Sequence, residues 1–429
     1  MINLYYDRFA GNYPVPNGCV EYDIAIAKEE VPYVMDKSSV QPVTMFYHTM
    51  KAEGVEVNLN VNNSYYPLEI SFQHRTTFID KIPKATLKKL INKDLKLLLL
   101  YQEEGADIYT MTQLKNVADE FNNANVPADN IYIVNGDLNK AYKTFFKPYK
   151  IYGIDWWQIK HKLTCLSRYG EGQYEYTSHR TYDAKLENTN KENFVIDEWK
   201  NPTKKFLCFN GNNRFHRLGL VSEIIARGLL DKGYVSYDIY NQSCSQIADD
   251  DLRIVNKEKP TNYVRKKIEA IKWLNKNKLV VDYDSNDFWK DDRRYDSKFF
   301  YDTCFSIVSE TYAGHCDENY PLQQYVLWTT EKTWKPIAIG HPFMVLGSVG
   351  TLKYLKTEGY KTFGMLFDED YDNELDLIER IEMICNNIDR AKIKNIDEIK
   401  YVVKYNKELF YSKNHSNKFY NLFKEMNNG

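Results

Sequence analysis

The chain of 429 residues is long enough for two to three domains of about 150 residues each. Its hydrophobic content of 43% and charged content of 27% lie near globular averages and exclude a largely disordered protein. A net charge of −2 gives no overall attraction to nucleic acid or anionic lipid, so any polyanion would have to bind a local patch. The 35 tyrosines beside 13 prolines, with abundant lysine, indicate an A/T-rich genome, as many bacteria and phages have.

The cysteines and the hydrophobic runs predict a cytoplasmic protein. The seven cysteines are odd in number, scattered and never in C-x-x-C spacing, which disfavours a zinc site and favours a reducing compartment. Residues 1–13 mix charge with aromatics, unlike a secretory leader, and the longest apolar run, near 97–100, falls far short of the ~20 residues of a membrane span. We expect the host cytoplasm if the gene is a phage's, and peripheral membrane contact stays open.

The first half of the sequence predicts an α/β domain over residues 1–200. Residues 1–80 read as short strands and turns, a β-rich N-terminal elaboration whose role is opaque. Helices and strands then alternate, as right-handed βαβ units of a parallel sheet do. The predicted elements are helix 85–93, strand 96–101, helix 111–123, strand 131–134, helix 138–146 and strand 150–154. Residues 160–203 are polar and irregular, and we interpret them as an insertion or linker.

The second half predicts another Rossmann-like domain over 201–395. Its elements are a strand at 205–209, a helix through 230, a helix at 262–275, a strand at 305–308, a helix from 331, a strand at 341–347 and a helix at 374–387. Ser348 is the predicted cap of the helix after the 341–347 strand. Residues 396–429 are predicted to form a long C-terminal helix that packs back toward the first domain.

The stretch from Ser309 to Gly350 reads as a ligand-binding half-site. Glu310 follows a buried strand, at the rim where open α/β sheets bind ligands. Thr329 and Thr330 are good N-caps for the next helix, whose first turn favours negative charge and offers backbone N–H groups. Pro336 inside that helix predicts a kink or a short first turn.

A second polar segment, from Asn210 to Arg217, follows the strand at 205–209. It holds one glycine, three asparagines and two arginines, which can turn sharply and present N–H groups to an anion. Arg214 and Arg217 could grip phosphate oxygens in bidentate fashion, and His216 lies between them. The alternative is a solvent-exposed turn with surface arginines.

These motifs resemble a known family. Glu310, then Thr330-Glu331-Lys332, then Ala338-x-Gly340-x-Pro342 and an apolar strand, is similar to the donor-domain signature of glycosyltransferases with the two-domain GT-B fold. The parallels are fucosyltransferase-type and exostosin-like enzymes, and more closely a group of poorly described bacterial and phage proteins. The resemblance covers about 206–370 and says little about an acceptor.

The resemblance implies roles for the motif residues. In the family pattern Glu331 accepts hydrogen bonds from ribose hydroxyls and Lys332 supplies positive charge to the phosphates or leaving group. The Asn210–Arg217 segment, with Arg214, His216 and Arg217, would contact the diphosphate. Glu310 would orient the sugar or cap its loop.

Each of these roles has a structural alternative. Glu331 could serve only the helix dipole, an effect under ~1 kcal/mol. Lys335, one turn later, could bind the donor or only pair with Glu331.

A transferase also needs a group that takes the acceptor proton. By position after first-domain strands, the candidates are Glu104, Asp137 and Asp155, with His48 behind them. Each could instead be an N-cap or a surface acid. Inverting and retaining mechanisms both stay open.

Other chemistries find little support. The acidic runs at 249–251, 291–292 and 368–370 read as solvated surface, so neither a metal nor another cofactor is expected. Motifs of P-loop enzymes, dinucleotide enzymes, zinc hydrolases and serine hydrolases are missing from the sequence. Basic stretches at 84–96, 257–278 and 404–424 read as solvated helix faces, although together they could follow a phosphate backbone.

The predicted protein is a two-domain α/β enzyme of GT-B type that moves a sugar from a nucleotide sugar to a hydroxyl acceptor. The favoured acceptor is a hydroxymethylated base in phage DNA. The alternatives are a cell-surface or lipid-linked glycan as acceptor and a non-catalytic protein that binds nucleotide sugars or a partner.

Overall fold

The computed structural model describes twelve stretches of the chain and two single residues. They are residues 2–5, 56–59, 63–70, 79, 82–101, 108–156, 158–159, 202–210, 214–237, 260–277, 279, 297–314, 325–412 and 418–428. The chain divides into two compact units. The first comprises Met1–Asp183, Tyr325–Trp328 and Ser412–Gly429, and the second comprises Ala184–Gln324 and Thr329–Tyr411.

The first unit is built on a six-stranded sheet in which every neighbouring pair is parallel. The strand order is β2-β1-β3-β4-β5-β6. The strands are β1 (Ile2–Leu4), β2 (Val57–Leu59), β3 (Tyr65–Ile70), β4 (Lys96–Tyr101), β5 (Ile131–Asn135) and β6 (Lys150–Gly153). β1, β2 and β3 belong to the same sheet as the later strands, so the short N-terminal strands are part of the α/β layer and not an addition to it.

The helices of this unit lie between the strands, as predicted. α1 (Lys84–Ile91) precedes β4, and α2 (Ile108–Asn123) connects β4 to β5. β4 is almost wholly apolar, and residues 97–101 are buried, as a central parallel strand covered on both faces requires.

The predicted helix at 138–146 is wrong, because these residues form a series of turns. Asp137 accepts the backbone N–H of Asn139 at 3.2 Å, and Lys140 has a positive φ of 52°. A side chain that bonds the backbone two residues later competes with helix formation. Pro148 then has no N–H to donate and ends the segment before β6.

The C-terminal region forms two helices rather than the one long helix predicted for 396–429. α9 (Ile396–Tyr411) belongs to the second unit and α10 (Lys418–Asn428) to the first. α10 packs on the first sheet, where the rings of Phe423 and Tyr65 meet edge to face at 5.0 Å. The Tyr65 hydroxyl also donates to Asn427 at 2.8 Å.

The second unit contains a four-stranded parallel sheet of order β10-β9-β7-β8. Its strands are β7 (Lys204–Asn210), β8 (Gly233–Tyr237), β9 (Thr303–Ser309) and β10 (Phe343–Leu346). Its helices are α3 (Phe215–Ala226), α4 (Pro260–Leu274), α5 (Ser297–Tyr301), α6 (Glu331–Ile339), α7 (Thr351–Thr357), α8 (Leu377–Arg390) and α9. The chain is therefore an α/β protein with two parallel sheets.

The helices of the second unit pack in two groups. α3 contacts α4 and α8, whereas α6 contacts α9. α3 connects β7 to β8 and α6 connects β9 to β10, and these two crossovers run in opposite directions along the sheet. Right-handed crossovers in opposite directions place their helices on opposite faces, so the unit has a helix layer on each side of its sheet.

Ser348 does not cap the helix after β10, contrary to the prediction. The N-cap of α7 is Gly350, with φ 79°, and the cap bonds come from a later loop. The Asp372 carboxylate accepts the N–H groups of Leu352 at 2.9 Å and Lys353 at 3.0 Å. β10 is also shorter than predicted, since residues 341 and 342 precede it and 347 follows it.

Candidate functional site

The strand order of the second unit marks one place at the carboxyl edge of its sheet. The helices that follow β7 and β9 leave in opposite directions, so a crevice is expected between the ends of these neighbouring strands. Phe206 pairs with Phe305, and Leu207 with Ser306. Continuing this register by three residues sets Asn210 beside Ser309, at the mouth of that crevice.

Glu310, the first residue after β9, is the centre of a buried hydrogen-bond cluster. One carboxylate oxygen accepts the N–H and hydroxyl of Thr333 at 3.0 and 2.5 Å and the N–H of Thr330 at 3.0 Å. The other accepts the Thr330 hydroxyl at 2.5 Å and the N–H of Thr311 at 3.0 Å. Glu310 is fully buried. Five donors and complete burial fit the capping role, one of the two that the resemblance implied, and the other role, orienting the sugar, stays a prediction.

This cluster also fixes where α6 begins. Thr330 is the N-cap, as predicted, and its hydroxyl accepts the N–H of Lys332 at 3.3 Å. The helix continues for three residues past Pro336 and ends at Gly340, whose φ of 97° is the left-handed conformation that glycine adopts at little cost. Glu310 and Thr311 after β9, Thr330 and Thr333 therefore form one hydrogen-bonded cluster around a carboxylate.

Arg217 and His216, predicted beside the diphosphate, bond to the main chain after β9. The Arg217 guanidinium donates to the carbonyl oxygens of Ser309 at 3.3 Å and Glu310 at 3.0 Å. The His216 ring nitrogen Nε2 lies 2.7 Å from the carbonyl of Glu310. Both side chains are buried. In this structure they join α3 to the end of β9, and a role in binding phosphate stays a prediction.

Glu331 and Lys332 lie in the first turn of α6, where the resemblance places donor contacts. The Lys332 ammonium bonds Glu331 Oε1 at 2.5 Å and the Thr311 hydroxyl at 3.0 Å. Both side chains keep part of their surface exposed, 20% for Glu331 and 29% for Lys332. A carboxylate, which accepts hydrogen bonds, and an ammonium cation thus lie side by side at the carboxyl edge of the sheet. Lys335, one turn later, is half-buried.

Arg214 is the N-cap residue of α3, with extended backbone and no capping bond from its side chain. It is half-buried, and residues 211–213 of the predicted turn lie outside the described residues. A cation that the sequence did not single out is nearby, since Lys267 of α4 lies 3.6 Å from the centre of the Phe215 ring. Lys267 is buried, which departs from the solvated face predicted for 257–278.

Arg380 is a second residue that sequence reasoning missed. From α8 its Nη1 donates at 2.6 Å to both the carbonyl of Ala313, after β9, and that of Gly347, after β10. Burial lowers the pKa of this guanidinium to about 10, so it stays charged at neutral pH. Arg380 therefore holds two of the loops at the sheet edge, and no local sequence pattern marks it.

In the first unit, Asp137 follows β5 and is fully buried. Its Oδ1 accepts the N–H of Asn139 at 3.2 Å and that of Leu327 at 3.3 Å, and Oδ2 has no hydrogen-bond partner among the described residues. Burial raises the pKa of Asp137 to about 6, although several backbone N–H groups oppose the rise. A carboxyl that titrates near neutrality is suited to proton transfer.

The Asp137 loop is covered by the segment Tyr325–Trp328. Leu138 donates its N–H to the Leu327 carbonyl at 2.9 Å. The Trp328 indole lies against Gly136, where an added Cβ would come within 2.7–2.9 Å of the ring. This close approach explains the glycine, and the fit leaves Asp137 enclosed.

The other predicted bases fare differently. Asp155 is buried and accepts the N–H of Gln158 at 2.9 Å, so it caps a short turn, the alternative that its position also allowed. Glu104 and His48 lie outside the described residues. Asp137, whose pKa burial raises to about 6, therefore stays our candidate base.

Within the described ranges, no three His, Cys, Asp or Glu side chains cluster as metal ligands would. No helix in that part of the chain is long and apolar enough to cross a bilayer. The chain matches no family model, no curated protein and no solved structure.

Proposed function

We propose that the chain is a glycosyltransferase that uses a nucleotide sugar, with its donor site at the carboxyl edge of the second sheet. The observation that carries the proposal is the first turn of α6. There the Lys332 Nζ lies 2.5 Å from the Glu331 Oε1, and both side chains are partly exposed. Buried Glu310 fixes the start of this helix. Neutral hydroxyls and negative phosphates are the two kinds of group that a carboxylate and an ammonium bind together.

On the donor side, the reaction requires chiefly that the charge of the leaving diphosphate be stabilised. The acceptor oxygen forms a bond to the anomeric carbon, and the bond from that carbon to the diphosphate breaks. The leaving diphosphate keeps the electron pair, and positive charge held in place beside it lowers the barrier. The Lys332 ammonium would supply that charge, because the N–H groups of Thr330, Lys332 and Thr333 are already bonded within the Glu310 cluster.

The acceptor side would belong to the first unit, so that the two units correspond to the two halves of a GT-B enzyme. Asp137 is our candidate to receive the acceptor proton, because its pKa of about 6 leaves it ionised at neutral pH yet basic enough to accept a proton. Its burial requires the covering Tyr325–Trp328 segment to move before an acceptor could reach it. The acceptor that we propose to test first is hydroxymethylated DNA.

The proposal is tested by turnover. The purified protein is incubated with a panel of nucleotide sugars, and released nucleoside diphosphate is measured with and without DNA that contains hydroxymethylcytosine. We expect release to fall at least tenfold in Glu331→Ala and in Lys332→Ala, and to change little in Lys394→Ala, the control at an exposed lysine after α8. DNA-dependent release supports the DNA acceptor, and release without DNA redirects the search to glycans.

Two results count against the enzyme. Saturable binding of a nucleotide sugar without turnover, under every acceptor condition, would favour a non-catalytic binding protein. Neither binding nor turnover with any donor would contradict the donor site itself.

A further inference from the structure

We infer that Asn210 and Ser309 form a subsite that binds a hydroxyl group of the ligand, and not one of its phosphates. This inference rests on the proposed function for the identity of the ligand and goes beyond it in assigning which part of the ligand lies at the crevice. The resemblance gave Asn210 to the diphosphate and gave Ser309 no role.

Asn210 and Ser309 lie next to each other because of the register of β7 and β9. Leu207 pairs with Ser306, so three residues further on Asn210 and Ser309 stand at the same level of neighbouring parallel strands. Residues at one level of a parallel pair direct their side chains to the same face of the sheet. The two side chains are therefore neighbours at the carboxyl edge, between β7 and β9.

Each of these two side chains has a polar atom that bonds nothing among the described residues. Both residues are buried, with 2% of their surface exposed. The Oδ1 of Asn210 and the Oγ of Ser309 have no hydrogen-bond partner in the described part of the chain. Buried polar groups are nearly always bonded, and an exception calls for an explanation. Two exceptions side by side at the expected ligand crevice are explained by a ligand group that bonds both.

The donors and acceptors of the two side chains identify that group as a hydroxyl. The Asn210 Nδ2 is already used, since it donates to the Ser236 carbonyl at 3.3 Å and to the Cys208 sulfur at 3.4 Å. The remaining Oδ1 can only accept, and the Ser309 hydroxyl can donate or accept. A ligand hydroxyl satisfies both, because it donates to Oδ1 and accepts from Oγ–H. A phosphate oxygen would set one acceptor against another at Asn210.

The nearby cations do not reverse this choice. Arg217 donates to the carbonyls of Ser309 and Glu310. Its guanidinium is therefore already used by two main-chain oxygens. The phosphates of a bound nucleotide sugar would instead lie toward Lys332, whose ammonium keeps partial exposure.

A hydroxyl can come from the ribose of the nucleotide or from the sugar that is transferred, and one experiment distinguishes these sources. Binding of three probe classes is measured by calorimetry: ribonucleoside diphosphates, their 2′-deoxy and 3′-deoxy forms, and nucleotide sugars. Each is titrated into the wild type, Ser309→Ala and Asn210→Ala. Thermal unfolding without ligand is recorded for all three proteins.

We expect Ser309→Ala to weaken binding of the hydroxyl-bearing probe about tenfold, the effect of one hydrogen bond in a closed site. If the hydroxyl is the ribose's, the variant also stops distinguishing ribonucleotides from deoxynucleotides. If it is the sugar's, the variant instead loses the advantage of nucleotide sugars over nucleoside diphosphates. Without ligand, Ser309→Ala should unfold at the same temperature or higher, because it removes a buried group that has no partner.

Ser306→Ala is the matched control on β9. The Ser306 hydroxyl bonds the Nδ1 of buried His341 at 2.9 Å, so its loss should lower the unfolding temperature and leave the preference among probes unchanged. Probe binding with the same preferences in wild type, Ser309→Ala and Asn210→Ala would overturn the subsite while the transferase stands. Failure of every probe to bind the wild type would overturn both proposals together.

Discussion

A buried carboxylate with five donors is an unusual way to begin a helix. The free N–H groups at a helix start are ordinarily bonded by one short side chain, and here Thr330 is that N-cap. Glu310, directly after β9, additionally accepts hydrogen bonds from Thr330 and Thr333. The position of Glu331 and Lys332 thus depends on Glu310, about 20 residues earlier in the sequence. Glu310 is best described as a positioning residue of the proposed donor site.

Glu310→Gln should destabilise the protein by roughly 3 kcal/mol, because one oxygen becomes an NH₂ group that faces donors. Urea unfolding followed by circular dichroism measures the loss. Glu331→Gln is the control, with an expected change of about 1 kcal/mol from the helix dipole and from the loss of the partly exposed ion pair with Lys332. Equal losses in the two variants would show that the Glu310 cluster has no special weight.

Asp137 predicts a pH dependence of known sign. Burial raises its pKa from 3.8 to about 6, so the folded chain holds this proton to higher pH than the unfolded chain does. The protonated carboxyl therefore contributes stability that is fully present below about pH 4 and is lost as the pH rises through 6. Above pH 7 the buried carboxylate costs about 3 kcal/mol, at about 1.4 kcal/mol per pKa unit.

Asp137→Asn should remove that dependence. We expect the variant to gain stability relative to the wild type between pH 4.5 and pH 8, measured by urea unfolding at each pH. Asp129→Asn is the control of opposite sign, because Lys93 lowers the pKa of exposed Asp129. A difference between Asp137→Asn and the wild type that stays constant with pH would contradict the assignment.

Among the elements, the loops at the edge of the second sheet are held from behind. Arg380 of α8 donates to the carbonyls of Ala313 and Gly347 and, through Nε, to that of Glu374. One planar guanidinium thereby connects a helix to the loops after β9 and β10. Lysine has neither the geometry nor the number of donors to replace it.

Arg380→Lys should cost roughly 3 kcal/mol, because two buried carbonyls lose their donor. Unfolding by urea gives the free energy, and Arg390→Lys in the same helix is the control. Arg390 is exposed, so its replacement should change stability by less than about 0.5 kcal/mol. A loss at Arg390 as large as that at Arg380 would refute the special role of Arg380.

The contrast between local and distant contacts explains what the sequence could predict. The strand at Lys96–Tyr101 and the helix start at Thr330 were predicted correctly, because an apolar run and a cap residue act within a few residues. The burial of Arg217 depends on a carbonyl 93 residues away and the α7 cap on Asp372, 20 residues later. Neither partner is visible in a local pattern.

At the scale of the whole molecule, the first unit draws on distant parts of the chain. Its sheet comes from residues before 154, and α10 covers one region of that sheet from beyond residue 417. Phe419 and Phe423 are buried there among Tyr65, Trp156 and other apolar side chains. The stability of the first unit therefore depends on a helix that begins at Lys418, more than 260 residues after β6 ends at Gly153.

Phe423→Ala should destabilise the first unit by about 3–5 kcal/mol, the usual cost of emptying a buried phenylalanine site. Hydrogen exchange measured by mass spectrometry should show faster exchange in β3, β4 and β5. Tyr420→Ala, on the same helix but 48% exposed, is the control and should exchange as the wild type does. Unchanged protection of those strands in Phe423→Ala would contradict the packing.

The three-part make-up of the first unit has a consequence for how the protein is made. Every segment of the second unit, up to Tyr411, leaves the ribosome before α10 does. The strands of the first unit are synthesised first, yet α10, which covers Tyr65 and Trp156, is synthesised after them and after the second unit. During translation the earlier-made unit would therefore stay incomplete while the later-made one closes, and chaperones would meet the exposed face of the first sheet.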